Sequence, residues 1–427
     1  MSEEEKVDAI IVGGGVAGLA CAYKLATEGK EVVVIERGSS CGDKNLTGGR
    51  IYTYSLLNLL GEELMAEAPL ERPIVKEQIA MTHAKGAMTI DYTDYGFTEG
   101  VPQSYSILHA VFDPWLAEKA EEAGAMIAPG ILVEELIERD GKIVGVKMGD
   151  EEMFSDIVIA ADGVNSFLAQ QAGLRSDLND HEVAVGVKEV IELPEETITD
   201  RFGLQAGEGA ARLFLGVSEG MGGGGFLYTN KSSISLGLVV SPKDLGKHNK
   251  RLHEVMQDFK MHPAVYPLIA GGTTTEYGAH LVGEAGYHGL PKQLYREGLV
   301  LIGDAAGLCI NMGSTIRGMD LAIASGVAAA EAILGAKSPS EIGPAYTAKL
   351  NEAVLPTMKV YAGYPVMMEL PRLFTEYPLM ANEMMHFLFA VDGSVPAKMP
   401  KAMLDIVKKN VGIGAILSDG WKGFKAL

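Results

Sequence analysis

Residues 7 to 36 constrain this chain more tightly than any other part of it. An apolar run, Ala9 to Val12, meets Gly13-Gly14-Gly15-Val16-Ala17-Gly18. An alanine-rich helical segment follows, Gly29 stops it, and a second apolar strand, Val32 to Ile35, ends at Glu36. Strand, glycine turn, helix, strand and terminal acid together form a dinucleotide-binding βαβ unit. Gly13 permits the tight turn, Gly15 lets the backbone approach a pyrophosphate, and Gly18 lets helix pack closely on strand. Unpaired N–H groups at the helix start favour the anion. A carboxylate at Glu36 can accept both hydroxyls of a ribose and repels a 2′-phosphate, so FAD or NAD is expected rather than NADP.

A chain of 427 residues has room for two or three domains. Its net charge of −20 argues against nucleic acid as a partner, because nothing offsets phosphate repulsion. Three cysteines, Cys21, Cys41 and Cys309, have spacings that suit neither a disulfide framework nor a cluster-ligating run, and no metal site is expected. Cys21 and Cys309 fall in apolar segments and read as inert core thiols. The start, Met1-Ser2-Glu3-Glu4-Glu5-Lys6, lacks a basic region followed by an apolar one. No run reaches the roughly 18 apolar residues that a span needs. The expectation is a cytoplasmic protein, peripheral on the cytoplasmic face of a membrane.

After Glu36 comes a long loop rich in glycine and small polar residues, Arg37 to Arg50. Such loops after cofactor-binding strands are usually functional. Gly48-Gly49 would let backbone lie against a flat ring system, and Lys44, Asn45 and Arg50 could reach phosphate or ring oxygens. The spacing of Leu56, Leu57, Leu60 and Leu64 predicts a helix over 51–64. Asp113-Pro114 reads as an N-cap followed by proline at the first helical position. Strands are expected over 125–128 and 131–137, then a hairpin turning at Asp140-Gly141. A buried strand, Asp156 to Ala160, runs into Ala161-Asp162-Gly163. Residues 183 to 285 are β-like, with a glycine run Gly222 to Gly225 and a helix over 247–259. Leu299 to Ile302 then leads into Gly303-Asp304-Ala305-Ala306-Gly307, followed by a small-residue helix to Leu334.

Three motifs thus stand in order: Gly13-x-Gly15-x-x-Gly18, Asp162-Gly163 and Gly303-Asp304. The series resembles the glutathione-reductase-type FAD superfamily, which contains aromatic hydroxylases and geranylgeranyl reductases. Cys41-Gly42-Asp43-Lys44-Asn45, Phe112-Asp113-x-Trp115-Leu116, Gly223 to Lys231 and Arg317-Gly318-Met319-Asp320 are similar to the FixC branch, relatives of the electron-transfer-flavoprotein:quinone oxidoreductases. The resemblance runs from about residue 5 to the end. It implies an α/β fold: a discontinuous Rossmann-like FAD-binding domain (1–75, 111–180, 293–340), a β-rich inserted substrate or quinone domain (76–110, 181–292) and a C-terminal helical region (341–427).

The same resemblance implies that Asp304 bonds the ribityl hydroxyls of FAD, that Asp162 and Gly163 lie beside the cofactor, and that Gly313 and the following helix start face its pyrimidine end. Fingerprint and resemblance together mark Gly13, Gly15, Val16, Ala17, Gly18, Glu36, Arg37, Lys44, Asn45, Gly48, Gly49, His109, Val133, Ala161, Asp162, Gly163, Gly303, Asp304, Gly313 and Ile316 as cofactor-binding. His109 stands where relatives commonly carry arginine. No side chain is singled out as a catalytic acid or base; His181, His248, His253, His280 and His288 are the histidines available to protonate a quinone.

The implied activity is electron transfer from an electron transfer flavoprotein, a ferredoxin-like partner, or both, to a membrane quinone, within a Fix-type complex open to electron bifurcation. Single-chain quinone oxidoreductases of this kind end in a four-cysteine iron–sulfur module. No cysteine follows Cys309 here, so the cluster is expected on a separate ferredoxin-like chain. Residues 396–427 carry six lysines against two aspartates, a reversal of the chain's overall sign that suits an anionic lipid surface or an acidic ferredoxin. A geranylgeranyl (prenyl) reductase shares the three FAD motifs and is the alternative; an aromatic hydroxylase and a non-catalytic FAD-bearing electron relay are the others.

Overall fold

A computed structural model describes residues 6–45, 48–313 and 315–426. Two large sheets, each with its own core, line one cavity, and a helical layer adds to its wall. The first sheet runs Tyr295–Arg296, Leu299–Leu301, Glu151–Ala160, Lys6–Val12, Val32–Glu36, Met126–Pro129, with the hairpin Glu135–Arg139 and Lys142–Met148 branching from Glu151–Ala160. Its central pairs are parallel. Helices Val16–Thr27, His109–Glu122 and Met319–Gly335 pack against it. Covered strands need apolar residues on both faces, which explains why Val32–Glu36 is buried at every position. Each fully buried Ile or Leu contributes about 1.5–3 kcal/mol relative to exposure.

Parallel register sets the chemistry of this sheet. Val12 lies opposite both Ile35 and Ala160, and Ala160 lies opposite Leu301. The residues that follow, Gly13, Glu36, Ala161 and Ile302, therefore emerge side by side at the carboxyl ends of adjacent strands, where open α/β sheets bind their ligands. Two glycines make this possible. A Cβ on Gly13, whose φ is +114°, would stand 2.2 Å from the Ala161 carbonyl oxygen. One on Gly18 would stand 2.1 Å from the Gly13 carbonyl oxygen.

The second sheet runs Thr273–Gly283, Val183–Glu192, Ser233–Val240, Gly223–Thr229, Gly209–Leu215, Ile74–His83, Gly86–Thr93. It is antiparallel apart from the pairing of Gly209–Leu215 with Ile74–His83. One face buries Val187, Leu236, Leu238 and Phe214 under helices Glu195–Phe202 and Leu252–Met261. The other looks toward the strand ends of the first sheet.

Several local expectations shift. The helix expected over 51–64 covers Thr53–Ala66, after a short strand Gly49–Tyr52 that pairs with Ser104–Ile107. The helix expected to start at Pro114 begins at His109 and carries Pro114 inside, because the Asp113 carboxylate serves a tertiary cluster instead of a cap. The strand expected over 131–137 is Glu135–Arg139, and the helix expected over 247–259 is Leu252–Met261. At the Asp140-Gly141 turn both residues have positive φ (51° and 81°), as a two-residue hairpin requires.

Beyond Pro339 the chain is helical. Arg372 and Tyr377 both donate to Asp419 (2.7–2.9 Å), anchoring the last helix, Ile413–Ala426. Phe389, Leu417, Trp421 and Phe424 stand more than half exposed on this layer. No helix among the described residues is long and apolar enough to cross a membrane.

Candidate functional site

The two sheets enclose a cavity of about 750 Å³. Its floor is the glycine turn at Gly15, Val16 and Ala17, with Ala161, Gly163 and Asp304 from the neighbouring strand ends. One wall holds Asn45, Gly49, His109, Gly313 and Ile316. The opposite wall is the second sheet, with Lys188, Tyr228, His280 and the almost bare backbone of Gly222 to Gly225. Pro365, Met368 and Phe374 of the helical layer complete it.

The marked residues outside that lining occupy definite places around it. Gly13, Gly18 and Gly303 shape the turns beneath. Glu36 accepts from the Gly14 N–H (2.7 Å) and the Gly38 N–H (2.5 Å), holding the fingerprint turn to the next loop. Arg37 is exposed, and half-buried Val133 follows Ile131, whose N–H donates to the Glu36 carbonyl (2.9 Å). Lys44 lines a smaller pocket that adjoins the main cavity and shares Asn45, Lys188 and His280 with it. The Gly48 carbonyl accepts from Lys188. Leu46 and Thr47, within the same loop, lie outside the described residues.

Two side chains do not point where the sequence suggests. The Asp162 carboxylate turns inward, accepting from the Ser166 hydroxyl (2.8 Å) and the Leu168 N–H (3.2 Å), so Gly163 lines the cavity while Asp162 braces the turn. Burial raises its pKa, partly offset by those hydrogen bonds. Arg50 is 8% exposed; it donates to Ser104 and Glu77 and stacks on Tyr52, which leaves its guanidinium committed within the protein.

His109 is held rigidly. Its Nδ1 lies 2.9 Å from Asp113 Oδ1, and Asn45 Nδ2 donates to Asp113 Oδ2 (2.6 Å). Asp113 is fully buried, so this trio ties the loop before Gly48 to the start of the helix His109–Glu122. Asp304 is the opposite case. Its carboxylate takes no hydrogen bond from the described residues and is solvent-accessible where it faces the cavity, yet protein encloses it. That enclosure raises its pKa, with His280, Arg175 and His109 pulling it down.

Sequence reasoning missed three groups. Lys188 has no carboxylate within ion-pair distance among the described residues; its ammonium meets the Gly48 carbonyl and lies 5.5 Å from the Phe226 ring centre. Burial lowers its pKa to about 8. Glu284 accepts from Asn311 Nδ2 (2.7 Å), and Asn311 Oδ1 accepts from the Gly313 N–H (2.9 Å). Burial raises Glu284 to about 7, against the opposing pull of Asn311. Burial likewise pushes Tyr228 up to about 12. Lys188 and Glu284 belong to no motif, and Tyr228 falls in the Gly223 to Lys231 stretch without having been marked as a site residue. Of the histidines, His280 lines the cavity, His181 stands on its rim with a 65% exposed side chain, and His248 faces Glu219 (3.5 Å).

A floor of glycines at a helix start, an unpartnered carboxylate at a second strand end and an open glycine-lined wall fit a long flavin dinucleotide. Family models agree. The FAD-binding domain model matches residues 6–199, the ubiquinone-binding model of ETF-QO matches 183–282, and the ETF-QO/FixC C-terminal domain model matches 364–427. Protein FixC of Salmonella typhi is 47% identical over 430 residues, covering 99% of this chain and all of that protein. The chain belongs to the ETF-QO/FixC family. A probable electron transfer flavoprotein-quinone oxidoreductase of Escherichia coli, YdiS, is 44% identical over 99% of the chain and all of its own length.

Among solved structures, a geranylgeranyl bacteriochlorophyll reductase-like protein of Thermoplasma acidophilum shares the fold (TM-score 0.71, 18% identity, 98% of this chain and 99% of that one). So does the halogenase PltM, in complex with phloroglucinol and FAD (TM-score 0.62, 14% identity, 89% and 81%). This member of the family is an FAD-dependent electron-transfer oxidoreductase acting on a quinone, and the ubiquinone-binding match covers five of the seven strands in the second sheet.

Proposed function

We propose that this chain accepts electrons from an electron transfer flavoprotein, or from a separate ferredoxin-like iron–sulfur subunit, and passes them through FAD to a quinone held at a membrane surface. One observation carries the reading: a single cavity joins the dinucleotide floor to a bare glycine wall and to apolar Pro365, Met368 and Phe374. Such a space suits a planar, apolar acceptor beside a flavin. In this reading Gly13, Gly15, Val16, Ala17 and Gly18 cradle the pyrophosphate and Glu36 takes the ribose, with Arg37 and Val133 at the adenosine end. Lys44, Asn45, Gly48, Gly49 and His109 border the ring system. Ala161, Asp162 and Gly163 support the middle, Gly303 and Asp304 hold the ribityl chain, and Gly313 and Ile316 face the pyrimidine end.

FAD supplies the redox chemistry; the protein binds it, orients it and excludes water. No side chain is required as a nucleophile. The exposed Trp421 and Phe424, with Lys422 and Lys425 between and beside them, support contact with an anionic lipid surface on the cytoplasmic side.

The test is to reduce the FAD-loaded protein anaerobically by light and add a short-chain ubiquinone. Rapid return of the oxidised flavin spectrum supports the reading. No reoxidation, together with hydrogenation of prenyl double bonds by the dithionite-reduced protein, would replace it with prenyl reduction. Anaerobic purification from the native host should bring down the donor flavoprotein and a small iron–sulfur protein.

A further inference from the structure

A quinone becomes a quinol by taking two electrons and two protons. When the electrons come from a reduced flavin, one proton travels with them, and the second must come from a group inside the cavity. A useful donor titrates near the working pH and is recharged from solvent. We propose that Glu284 is the residue that delivers this second proton. This inference rests on the quinone reading of the cavity.

Geometry favours Glu284 over its neighbours. It lines the cavity at the exit of the strand Thr273–Gly283, and among the described residues only one of its oxygens is engaged, by Asn311. No cation is within ion-pair distance of it among the described residues, so the Asn311 hydrogen bond alone opposes the effect of burial. Through Asn311 it is fixed to Gly313, on the loop that closes the cavity wall.

Asp304 serves the cofactor in that reading, and several other titratable groups there are committed or unsuited. Tyr228 and Cys309 are too weakly acidic, since burial raises both, and Cys309 also feels Asp304, Glu284 and Asp320. His109 is locked to Asp113, and the His280 Nδ1 is engaged with the Leu281 carbonyl. Lys188 is held by the Gly48 carbonyl across the cavity.

The route back to solvent is short. The Glu284 N–H donates to the Glu182 carbonyl (2.9 Å), which places the acid beside the segment carrying His181. Asp180, His181 and Glu369 line the cavity, and the latter two have side chains 65% and 69% exposed. In the step itself, Glu284 gives its proton to one quinone oxygen and becomes a carboxylate. The other oxygen receives the proton that accompanies the two electrons from the reduced cofactor. Water at the His181 rim then reprotonates Glu284.

Stopped-flow reoxidation of light-reduced, FAD-loaded protein by a short-chain ubiquinone, from about pH 5.5 to about 8.5, tests this. The wild-type rate should fall as pH rises through the Glu284 transition. Glu284→Gln, which keeps an acceptor for Asn311, should lose that transition and slow reoxidation at least about tenfold at the acid end. Glu284→Asp should restore part of the rate. Reoxidation by ferricenium, which needs no proton, should be unchanged in every variant.

An infrared carboxylic-acid band of the cofactor-free protein should titrate near neutrality and vanish in Glu284→Gln, whatever that variant's activity. A pH-independent wild-type rate, or a Gln variant as fast as wild type, overturns the assignment alone. Wild-type protein that ferricenium reoxidises but the quinone does not overturns the quinone reading beneath it.

Discussion

The two sheets meet at one cavity but contribute to it in opposite ways. The parallel sheet presents its ends. The side chains of its central strands are mostly apolar and covered, and what reaches the cavity is chiefly backbone, N–H groups at the glycine turn and the turns after Ala160 and Leu301, joined by the Asp304 carboxylate. The antiparallel sheet presents a face. There the chemistry is in side chains that alternate along strands, with Lys188, Tyr228 and His280 on one side and the packed core on the other. Backbone chemistry tolerates little variation in residue type, because a Cβ would collide. Side-chain chemistry depends on which face of a strand turns inward.

The sharpest way to break this contrast is a matched pair of glycine changes. Gly18→Val drives atoms into the Gly13 carbonyl; it should abolish FAD binding and cost about 1–3 kcal/mol of stability, read from flavin absorbance and a urea midpoint. Gly224→Ala meets the Phe214 carbonyl at 2.7 Å and should disturb the second sheet while FAD stays bound. Equal loss of FAD in both would erase the distinction.

Asp304→Ala comes next. Removing this carboxylate, unpartnered among the described residues, should weaken FAD binding by about ten- to a hundredfold, as expected for a hydrogen bond to a charged group. Fluorescence titration of the cofactor-free protein measures it, and undiminished affinity would remove Asp304 from the site.

Lys188 tests the face from the other direction. Its folded pKa of about 8 lies below the ordinary lysine value, so between the two the unfolded chain binds more protons. Stability of the cofactor-free protein should therefore rise as pH climbs from about 8 toward about 10.4. Lys188→Met should abolish that slope and raise the neutral-pH Tm by about 2–4 °C. An unchanged slope would mean that the ammonium is solvated.

The smallest effect is expected in the helical layer. Hydrogen bonds from Arg372, with help from Tyr377, hold the Asp419 carboxyl below its usual range. The contact is fully formed above about pH 4 and weakens as pH falls through the lower folded value. Asp419→Asn should speed hydrogen exchange in Ile413–Ala426 and leave FAD binding intact.

Legibility followed the same division. Gly13, Gly18, Glu36 and the Gly303-Asp304 turn could be read from the chain because local geometry restricts which residues can stand there. The start of the helix at His109 could not, since Asp113 resembles a cap until Asn45 and His109 are seen to claim its carboxylate from both sides. Arg50 looked free to meet a phosphate until the strand pairing with Ser104–Ile107 placed Ser104 and Glu77 within its reach.

By itself the sequence determined that a glycine turn and a terminal carboxylate stand at adjacent parallel strand ends, as a dinucleotide site requires, and which family the motifs resemble. These are short-range facts, written in apolar runs and obligatory glycines. Only the tertiary structure decided which side chains line the rest of the cavity. Lys188 and Glu284 stand far apart in sequence, and burial, which no residue carries until the sheets close over it, shifts the proton affinity of both, while Asn311 reaches Glu284 by a hydrogen bond.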